Sequence, residues 1–136
     1  MKVTTIIHPR YVETDQMGVI HHSIYPIWYE VGRVQFCDVM GYPFSKIEKD
    51  LSLAVLKVTS VYKAPARFGD QLVLTTQIKS YSKVKIEFEY EIINQEGLII
   101  NYGTTEHCWL NNNFKPVNIA KINPTLYNLI TKATLE

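Results

Sequence analysis

The chain has 136 residues, which is the size of one compact domain and leaves no room for a second catalytic domain. Hydrophobic residues make up 46% of the sequence and charged residues 20%, a balance that excludes disordered and fibrous proteins. The 14 basic and 13 acidic residues leave a net charge of +1, which is too small for sequence-independent binding of nucleic acid. We therefore expect one domain, residues 1–136, with no nucleic-acid partner.

The two cysteines, Cys37 and Cys108, are far apart and form no CxxC pair, so we expect reduced thiols and a cytoplasmic protein. Nowhere do about 18 consecutive apolar residues occur, and the N-terminus lacks the pattern of a signal peptide. We expect neither export nor a membrane span. The histidines lack metal-ligand spacing and no glycine-rich nucleotide loop occurs, so we expect neither a metal ion nor another cofactor.

The first elements in chain order are a strand and a long helix. Residues 3–8 are β-branched enough to predict a strand. Residues 23–40 predict a helix, in which Ser23 is the N-cap, Pro26 lies in the first turn and Gly41 ends the helix. Apolar residues cover most of its circumference, so we expect other elements to wrap it.

Four long strands follow, predicted over 53–62, 70–81, 83–94 and 98–110. Within the run 83–94, residues 83–92 alternate charged and apolar residues, as a half-buried antiparallel strand does. Residues 124–135 are compatible with a short helix or with a partly ordered edge. These elements predict an α+β domain in which a curved antiparallel sheet of about five strands wraps a long central helix, the order of a hotdog fold. Its open sheet edges predict a homodimer.

Two motifs carry a family resemblance that covers nearly the whole chain. The first reads Y-x-x-T-D-x-x-G-V, then a His, a Tyr and E-x-x-R, and the second reads Y-x-x-P-x-R-x-G-D over 62–70. Together they resemble the 4-hydroxybenzoyl-coenzyme A thioesterase family, in particular its Tol-Pal-associated acyl-CoA thioesterase branch. One departure is Glu13, where members often carry Asp. The residues that match the first motif are Tyr11, Thr14, Asp15, Gly18, Val19, His22, Tyr25, Glu30 and Arg33.

The resemblance implies that Asp15 is the catalytic carboxylate, as general base or as nucleophile. Thioesters are activated acyl donors, so their hydrolysis needs such a group together with donors for the carbonyl oxygen. The amides at the start of the predicted helix, over 22–26, are expected to supply those donors. The alternative interpretation is that Asp15 only caps a turn.

Two further residues are assigned to catalysis. His22 is expected to donate to the thioester carbonyl or to orient it, with His21 as the alternative ring and a solvated helix cap as the structural interpretation. Tyr11 is expected to hydrogen-bond the Asp15 carboxylate or a water molecule, or else to pack in the core.

Substrate binding is assigned to Gly18, Val19, Tyr25, Lys63 and Arg67. The two cations are candidates for the phosphates of coenzyme A, together with Lys83 and Lys85, although any one of these side chains is also a typical solvated surface residue.

Glu30 is a competing catalytic carboxylate, because some hotdog enzymes carry theirs on the helix. Arg33 follows three residues later, so we interpret the two as a structural i,i+3 ion pair whose loss harms folding more than chemistry. Cys37 is interpreted as a small core residue and not as a nucleophile.

The function that these observations favour is a cofactor-independent acyl-CoA thioesterase, active on acyl-CoA or on an acyl carrier protein, and built as a homodimer or as a dimer of dimers. Two alternatives stay open. One is a hotdog dehydratase that pairs His22 with Glu30, and the other is a non-catalytic acyl-CoA-binding module. The identity of the acyl group is not predicted.

Overall fold

The computed structural model describes all residues from 1 to 136. Five strands and four helices form one α+β domain, and two 3-10 turns, Tyr11–Glu13 and His22–Ile24, precede the first helix. None of the helices combines the length and the apolar character that crossing a membrane requires. In chain order the elements are β1 (Val3–Ile7), α1 (Tyr25–Met40), α2 (Phe44–Ile47), β2 (Ser52–Tyr62), β3 (Leu72–Tyr81), β4 (Lys85–Ile93), β5 (Ile99–Leu110), α3 (Ile119–Ile122) and α4 (Pro124–Leu135).

All five strands join one antiparallel sheet in the order β1-β3-β4-β5-β2. The predicted α+β class is confirmed, and each predicted strand is present with ends that move by one or two residues. The alternation predicted for β4 is confirmed as well, because its apolar side chains are buried and its charged ones are not. The strand β2 forms one edge of the sheet and β1 the other.

The predicted long helix is α1, but its start differs from the expectation. The helix begins at Tyr25 because His22–Ile24 form a 3-10 turn first. The N-cap predicted at Ser23 is wrong, since it is the ring of His21 that accepts a backbone N–H, donated by Ser23 itself. The cap falls earlier because an imidazole nitrogen can accept the same bond that a serine hydroxyl usually accepts.

α1 packs against β1 and β3 through one face, and Gly32 permits a close approach because a Cβ there would collide with the Thr76 side chain of β3. The sheet covers this face of α1, as expected, and leaves part of the helix surface uncovered in a single chain. Ile27, Val31 and Val39 stay exposed on the opposite side. The buried face consists of Tyr25, Trp28, Tyr29, Gly32, Arg33, Phe36 and Cys37.

The C-terminal segment is the helix α4, which settles the choice that the sequence left open. Asn123 caps it by accepting the Leu126 N–H at 3.1 Å, and Pro124 occupies the first turn, where no N–H is required. Leu126 and Ile130 are buried as α4 packs against β3 and α1. This helix therefore completes the core.

Polar side chains are buried between α1 and the sheet. The Tyr29 hydroxyl of α1 hydrogen-bonds to the Asn101 side chain and to Ser60 Oγ, the latter at 3.1 Å. Its ring stacks on Tyr90, with the ring centroids 4.3 Å apart. Burial raises the pKa of Tyr29 to about 12, so the hydroxyl stays protonated and continues to donate. The network fixes the position of α1 over β5.

His107 of β5 lies in the same buried layer. Its Nε2 lies 2.7 Å from Thr105 Oγ1, which in turn lies 2.6 Å from the Tyr90 hydroxyl. Burial, and then the charge of nearby Arg33, lowers the pKa of His107 to about 4. The folded protein therefore holds this imidazole neutral at neutral pH.

We expect His107 to make stability depend on pH between about 6.5 and 4. As the pH falls through this range, the imidazole binds a proton in the unfolded chain but not in the folded chain. The free energy of unfolding therefore decreases, by at most about 3 kcal/mol. Urea unfolding at pH 7 and pH 4.5 measures this loss. It should shrink in H107Q and persist in H8Q, a control at an exposed histidine, and equal losses in all three proteins would contradict the assignment.

Candidate active site

The loop between β1 and α1 folds into a short hairpin, here called the Asp15 hairpin, which runs from Glu13 to His21. The Glu13 carbonyl accepts the His21 N–H at 2.9 Å and closes the base of the hairpin. Nearer the tip, the Asp15 N–H donates to the Val19 carbonyl at 2.8 Å. The base is also tied to the rest of the fold, because Ile20 N–H donates to the carbonyl of Ala66 at 2.9 Å. Asp15 thus lies in a turn that backbone hydrogen bonds hold in place.

The Asp15 carboxylate is half-buried and is held from one side only. Its Oδ1 accepts the N–H of Met17 at 2.8 Å and that of Val19 at 3.3 Å, whereas Oδ2 makes no hydrogen bond within the protein. Gly18 turns the chain between these donors with a φ of 79°, in the left-handed region that favours glycine. One oxygen of the carboxylate is anchored, and the other is free to take a proton or to attack.

The chain that leads into α1 provides a free backbone donor beside the hairpin. Ser23 N–H donates to His21 Nδ1 at 3.2 Å and Ile24 N–H to the His21 carbonyl at 3.0 Å, while Pro26 has no N–H. The His22 N–H has no acceptor within the protein, and it lies at the positive end of the helix dipole. We expected the amides over 22–26 to be free, but those of Ser23 and Ile24 already have acceptors. The His22 amide has none and can bind an anion.

Asp15 and His22 line one cleft with a volume of about 380 Å³. Tyr62, at the end of β2, forms a wall of this cleft: its hydroxyl donates to the His22 carbonyl at 3.2 Å, and its ring meets that of Tyr25 edge to face at 5.5 Å. Burial raises the pKa of Tyr25 to about 12. The remaining lining residues are Met17, Val19, Ile20, Lys63, Ala64 and Pro65.

The two adjacent histidines lie in different environments. His21 is half-buried, and its Nδ1 lies 2.8 Å from Ser23 Oγ, so this ring is occupied as a helix cap. The ring of His22 is exposed and forms no hydrogen bond, and His22 lines both openings that contain Asp15. His21 lines one of these openings as well, so the choice of His22 over His21 stays a prediction.

Two interpretations of the Tyr11 side chain, a place in the core and a hydrogen bond to the Asp15 carboxylate, differ from the structure, whereas its hydrogen bond to a water molecule stays a prediction. The side chain is not packed in the core, because it is 76% exposed, and its hydroxyl makes no hydrogen bond to the Asp15 carboxylate. Its ring packs edge to face against Phe68 at 5.7 Å instead. The 3-10 turn Tyr11–Glu13 explains this, because it rotates the side chain outward from the end of β1.

The four candidate cations are separated by the fold. Lys63 lines the cleft with Asp15, whereas Arg67 is exposed near it without lining it. Lys83 and Lys85 lie at the opposite end of the sheet, where the Lys83 carbonyl accepts a bond from α3 and Lys85 Nζ lies 3.4 Å from Glu106. These two lysines therefore do not line the cleft of the same chain, because β4 carries them away from the Asp15 hairpin.

The predicted pair of Glu30 and Arg33 is present, with Glu30 Oε2 3.5 Å from Arg33 Nη2. The Glu30 side chain is 68% exposed, so this pair contributes little to stability, and Arg33 is buried beside Tyr90 instead. Glu30 lines neither opening at Asp15 and does not meet His22. Cys37 is confirmed as a core residue, and burial raises the pKa of its thiol to about 12.

The sequence motifs contain two residues, Glu13 and Tyr62, to which the sequence assigned no function and which the structure places at the site. Glu13 is 3% exposed, and its carboxylate accepts three bonds: Arg10 N–H at 2.7 Å, Arg10 Nη2 at 3.3 Å and Trp28 Nε1 at 3.2 Å. Tyr62 opens the second motif but has a site role only because β2 ends beside His22. The spacing of residues does not show that Trp28 is the partner of Glu13, although an acid two residues before the motif acid is a usable signal.

Comparison with known proteins identifies the family to which this chain belongs. Residues 9–125 match the profile described as the thioesterase-like superfamily, and the chain belongs to that family. YneP of Bacillus subtilis, named as a candidate acyl-CoA thioesterase, is 35% identical over 129 residues, which are 93% of this chain and 94% of YneP.

Two other proteins are similar to this chain. The Arabidopsis thaliana acyl-acyl carrier protein thioesterase ATL2 is 32% identical over 111 residues, 79% of this chain and 58% of ATL2. The crystal structure of a DHNA-CoA thioesterase from Staphylococcus aureus superposes with a TM-score of 0.95 at 29% identity, covering 98% of this chain and 91% of that one. The hotdog fold expected from the element order is thereby confirmed.

We expect alanine substitutions at Gly18 and Gly97 to lower stability equally but to affect turnover differently. Their φ angles are 79° and 78°, and a Cβ at either position meets nothing within 4 Å, so G18A and G97A should each cost about 1 kcal/mol of backbone strain. Urea unfolding measures that equality. Only G18A lies in the Asp15 hairpin, so only G18A should also slow turnover of a thioester, and an equal slowing by G97A would contradict the role of the hairpin.

Proposed function

We propose that this chain is an acyl-CoA thioesterase that hydrolyses its substrate to a free acid and coenzyme A. The observation that carries the proposal is that Asp15, with one free carboxylate oxygen, and His22, with a free amide, share one cleft. A base or nucleophile and an oxyanion donor are the groups that thioester hydrolysis requires. The similarity to proteins named as thioesterases supports the same reaction.

In the proposed mechanism Asp15 acts through Oδ2, because two backbone amides already hold Oδ1. As general base, Oδ2 takes a proton from the water molecule that attacks the thioester carbonyl. As nucleophile, it attacks that carbon and forms an anhydride, which water then hydrolyses. Either route places negative charge on the carbonyl oxygen, where the His22 amide and the dipole of α1 stabilise it, and the sulfur leaves to become the thiol of coenzyme A.

The cleft walls have proposed roles in substrate binding. Val19 and Tyr25 line the cleft and would contact the acyl and pantetheine groups, and Gly18 keeps the turn that presents Asp15. Lys63 in the cleft and Arg67 beside it are the cations available to the phosphates of coenzyme A. Membership of the Tol-Pal-associated branch stays part of this proposal and is supported by the motif around Asp15. An acyl carrier protein is the alternative acyl donor, as the name of ATL2 indicates for that protein.

We expect D15N to lower turnover at least about 100-fold, because the amide neither accepts a proton nor attacks. The amide oxygen of D15N can still accept the N–H groups of Met17 and Val19, so the hairpin should keep its shape and the substrate should still bind. Thiol release from a panel of acyl-CoA thioesters, followed with a thiol reagent, measures the effect.

D70N is the matched control for D15N, since Asp70 also accepts a backbone N–H in a turn, from Arg67 at 2.8 Å, but lines no part of the cleft. Turnover by D70N should stay within about threefold of wild type. Undiminished turnover by D15N would refute the catalytic role. Acyl-CoA binding by wild type without any thiol release would indicate the non-catalytic module, and an enoyl product from a hydroxyacyl thioester would indicate the dehydratase.

We also propose that the enzyme is a homodimer. The strand β2 is an 11-residue edge strand, and its Val55, Leu56 and Val58 are 43–52% exposed. The exposed side of α1 adds Ile27 and Val31. Pairing β2 with its copy across a two-fold axis would cover the free edge and these side chains together. A dimer of dimers is the further state expected from the resemblance.

We expect V58D to dissociate the dimer, because it places a charge in the proposed interface without entering the core. Light scattering coupled to size-exclusion chromatography should give a mass near 15.7 kDa for V58D and at least twice that mass for wild type. S45D, at an exposed position of α2, is the control and should keep the mass of wild type. A monomeric wild type would contradict the proposal.

A further inference from the structure

The buried carboxylate of Glu13 is the residue of the hairpin that the proposed mechanism does not use. It is 3% exposed, and its only charged partner, Arg10, has a side chain that is 70% exposed. A carboxylate in such a place loses its hydration, so it persists where specific donors replace the water. The donors are distributed over both oxygens: Oε1 accepts the Arg10 N–H at 2.7 Å, and Oε2 accepts Trp28 Nε1 at 3.2 Å.

These contacts join the Asp15 hairpin to α1. The Glu13 carbonyl forms the base of the hairpin by accepting the His21 N–H, and Asp15 follows two residues later. Trp28 is the fourth residue of α1, is 4% exposed and packs edge to face on Tyr25 at 5.3 Å. The carboxylate therefore connects the Asp15 hairpin to α1, the helix that follows the His22 amide.

We propose that Glu13 is a positioning residue, which sets the location of the Asp15 carboxylate relative to the start of α1 by clamping the hairpin to Trp28. This inference rests on the proposed function, because the geometry that it fixes is that of the thioester site. Glu13 lines neither opening at Asp15, so it acts through Asp15 and not on the substrate.

The chemistry of the clamp explains why the residue is an acid. Two N–H donors approach two different oxygens of one carboxylate. A glutamine can offer an oxygen to one donor only, and its NH₂ group then faces the other N–H. An aspartate is shorter by one methylene group and cannot reach both donors from the same backbone position. The clamp therefore requires a glutamate at this position of the chain.

A double-mutant cycle between Glu13 and Trp28 tests the clamp. E13Q should lower kcat for an acyl-CoA about tenfold while KM changes less than twofold, because it displaces the Asp15 carboxylate and leaves the cleft walls intact. W28F removes the indole donor, so in the W28F background the same E13Q change should lower kcat less than about twofold. Equal effects of E13Q in both backgrounds would overturn the clamp.

Two control variants separate positioning from loss of stability. I130V truncates a buried residue of α4, outside the site, and should lower Tm without changing kcat. E96Q neutralises an exposed glutamate in the turn before β5 and should change neither quantity. A purely structural Glu13 would behave as I130V does, so a reduced Tm with the kcat of wild type in E13Q would refute the proposal.

Amide hydrogen exchange tests the same clamp without any substrate. E13Q should speed exchange of the Val19 and His21 amides about tenfold or more, and leave exchange in β4 unchanged. Unchanged exchange at these amides overturns the inference, whatever the activity. If wild type releases no thiol from any substrate, the proposed function fails, and the exchange result alone decides whether Glu13 clamps the hairpin.

Discussion

The packing of α1 against β3 is the contact on which the rest of the structure depends. Gly32 allows the helix backbone to approach the Thr76 side chain closely, and Tyr29 secures it through buried hydrogen bonds to Ser60 and Asn101. A helix fixed in this way has a fixed first turn. The N-terminus of α1 is the positive end of the helix dipole and can stabilise a negative charge. Packing in the core, several residues away from the site, therefore sets where that N-terminus lies.

The same packing leaves the helix covered on one side only, and this asymmetry links fold to assembly. The aromatic residues of α1 face the sheet, whereas Ile27 and Val31 are exposed. The cleft with Asp15 also ends at β2, where Tyr62 donates to the His22 carbonyl. The proposed catalytic groups and the proposed dimer interface thus share one strand, so a second copy paired there would lie close to the bound substrate.

The site is polar at its centre and is supported by buried groups that hold one protonation state. The Asp15 carboxylate keeps one oxygen free because backbone amides satisfy the other. Beside the cleft, burial raises the pKa values of Tyr25 and of Tyr29, whose hydroxyl bonds to Ser60 of β2, so both groups stay neutral near pH 7. In the proposed mechanism, these neutral groups leave the Asp15 carboxylate as the group whose charge the reaction would use.

The sequence by itself determined the strands, the long helix and the candidate carboxylate, because these depend on periodicity and on a motif within about 20 residues of chain. It predicted β4 from alternation, and Asp15 came from the resemblance that the motif around Thr14, Gly18 and His22 carries. Only the tertiary structure decided which side chains lie near the Asp15 hairpin and which lie far from it. Tyr11 turns outward, Lys85 lies at the far end of the sheet, and the Glu13 carboxylate reaches Trp28, 15 residues away along the chain. Such contacts depend on how a helix is rotated and which strands are neighbours, and these are set by packing of the whole core.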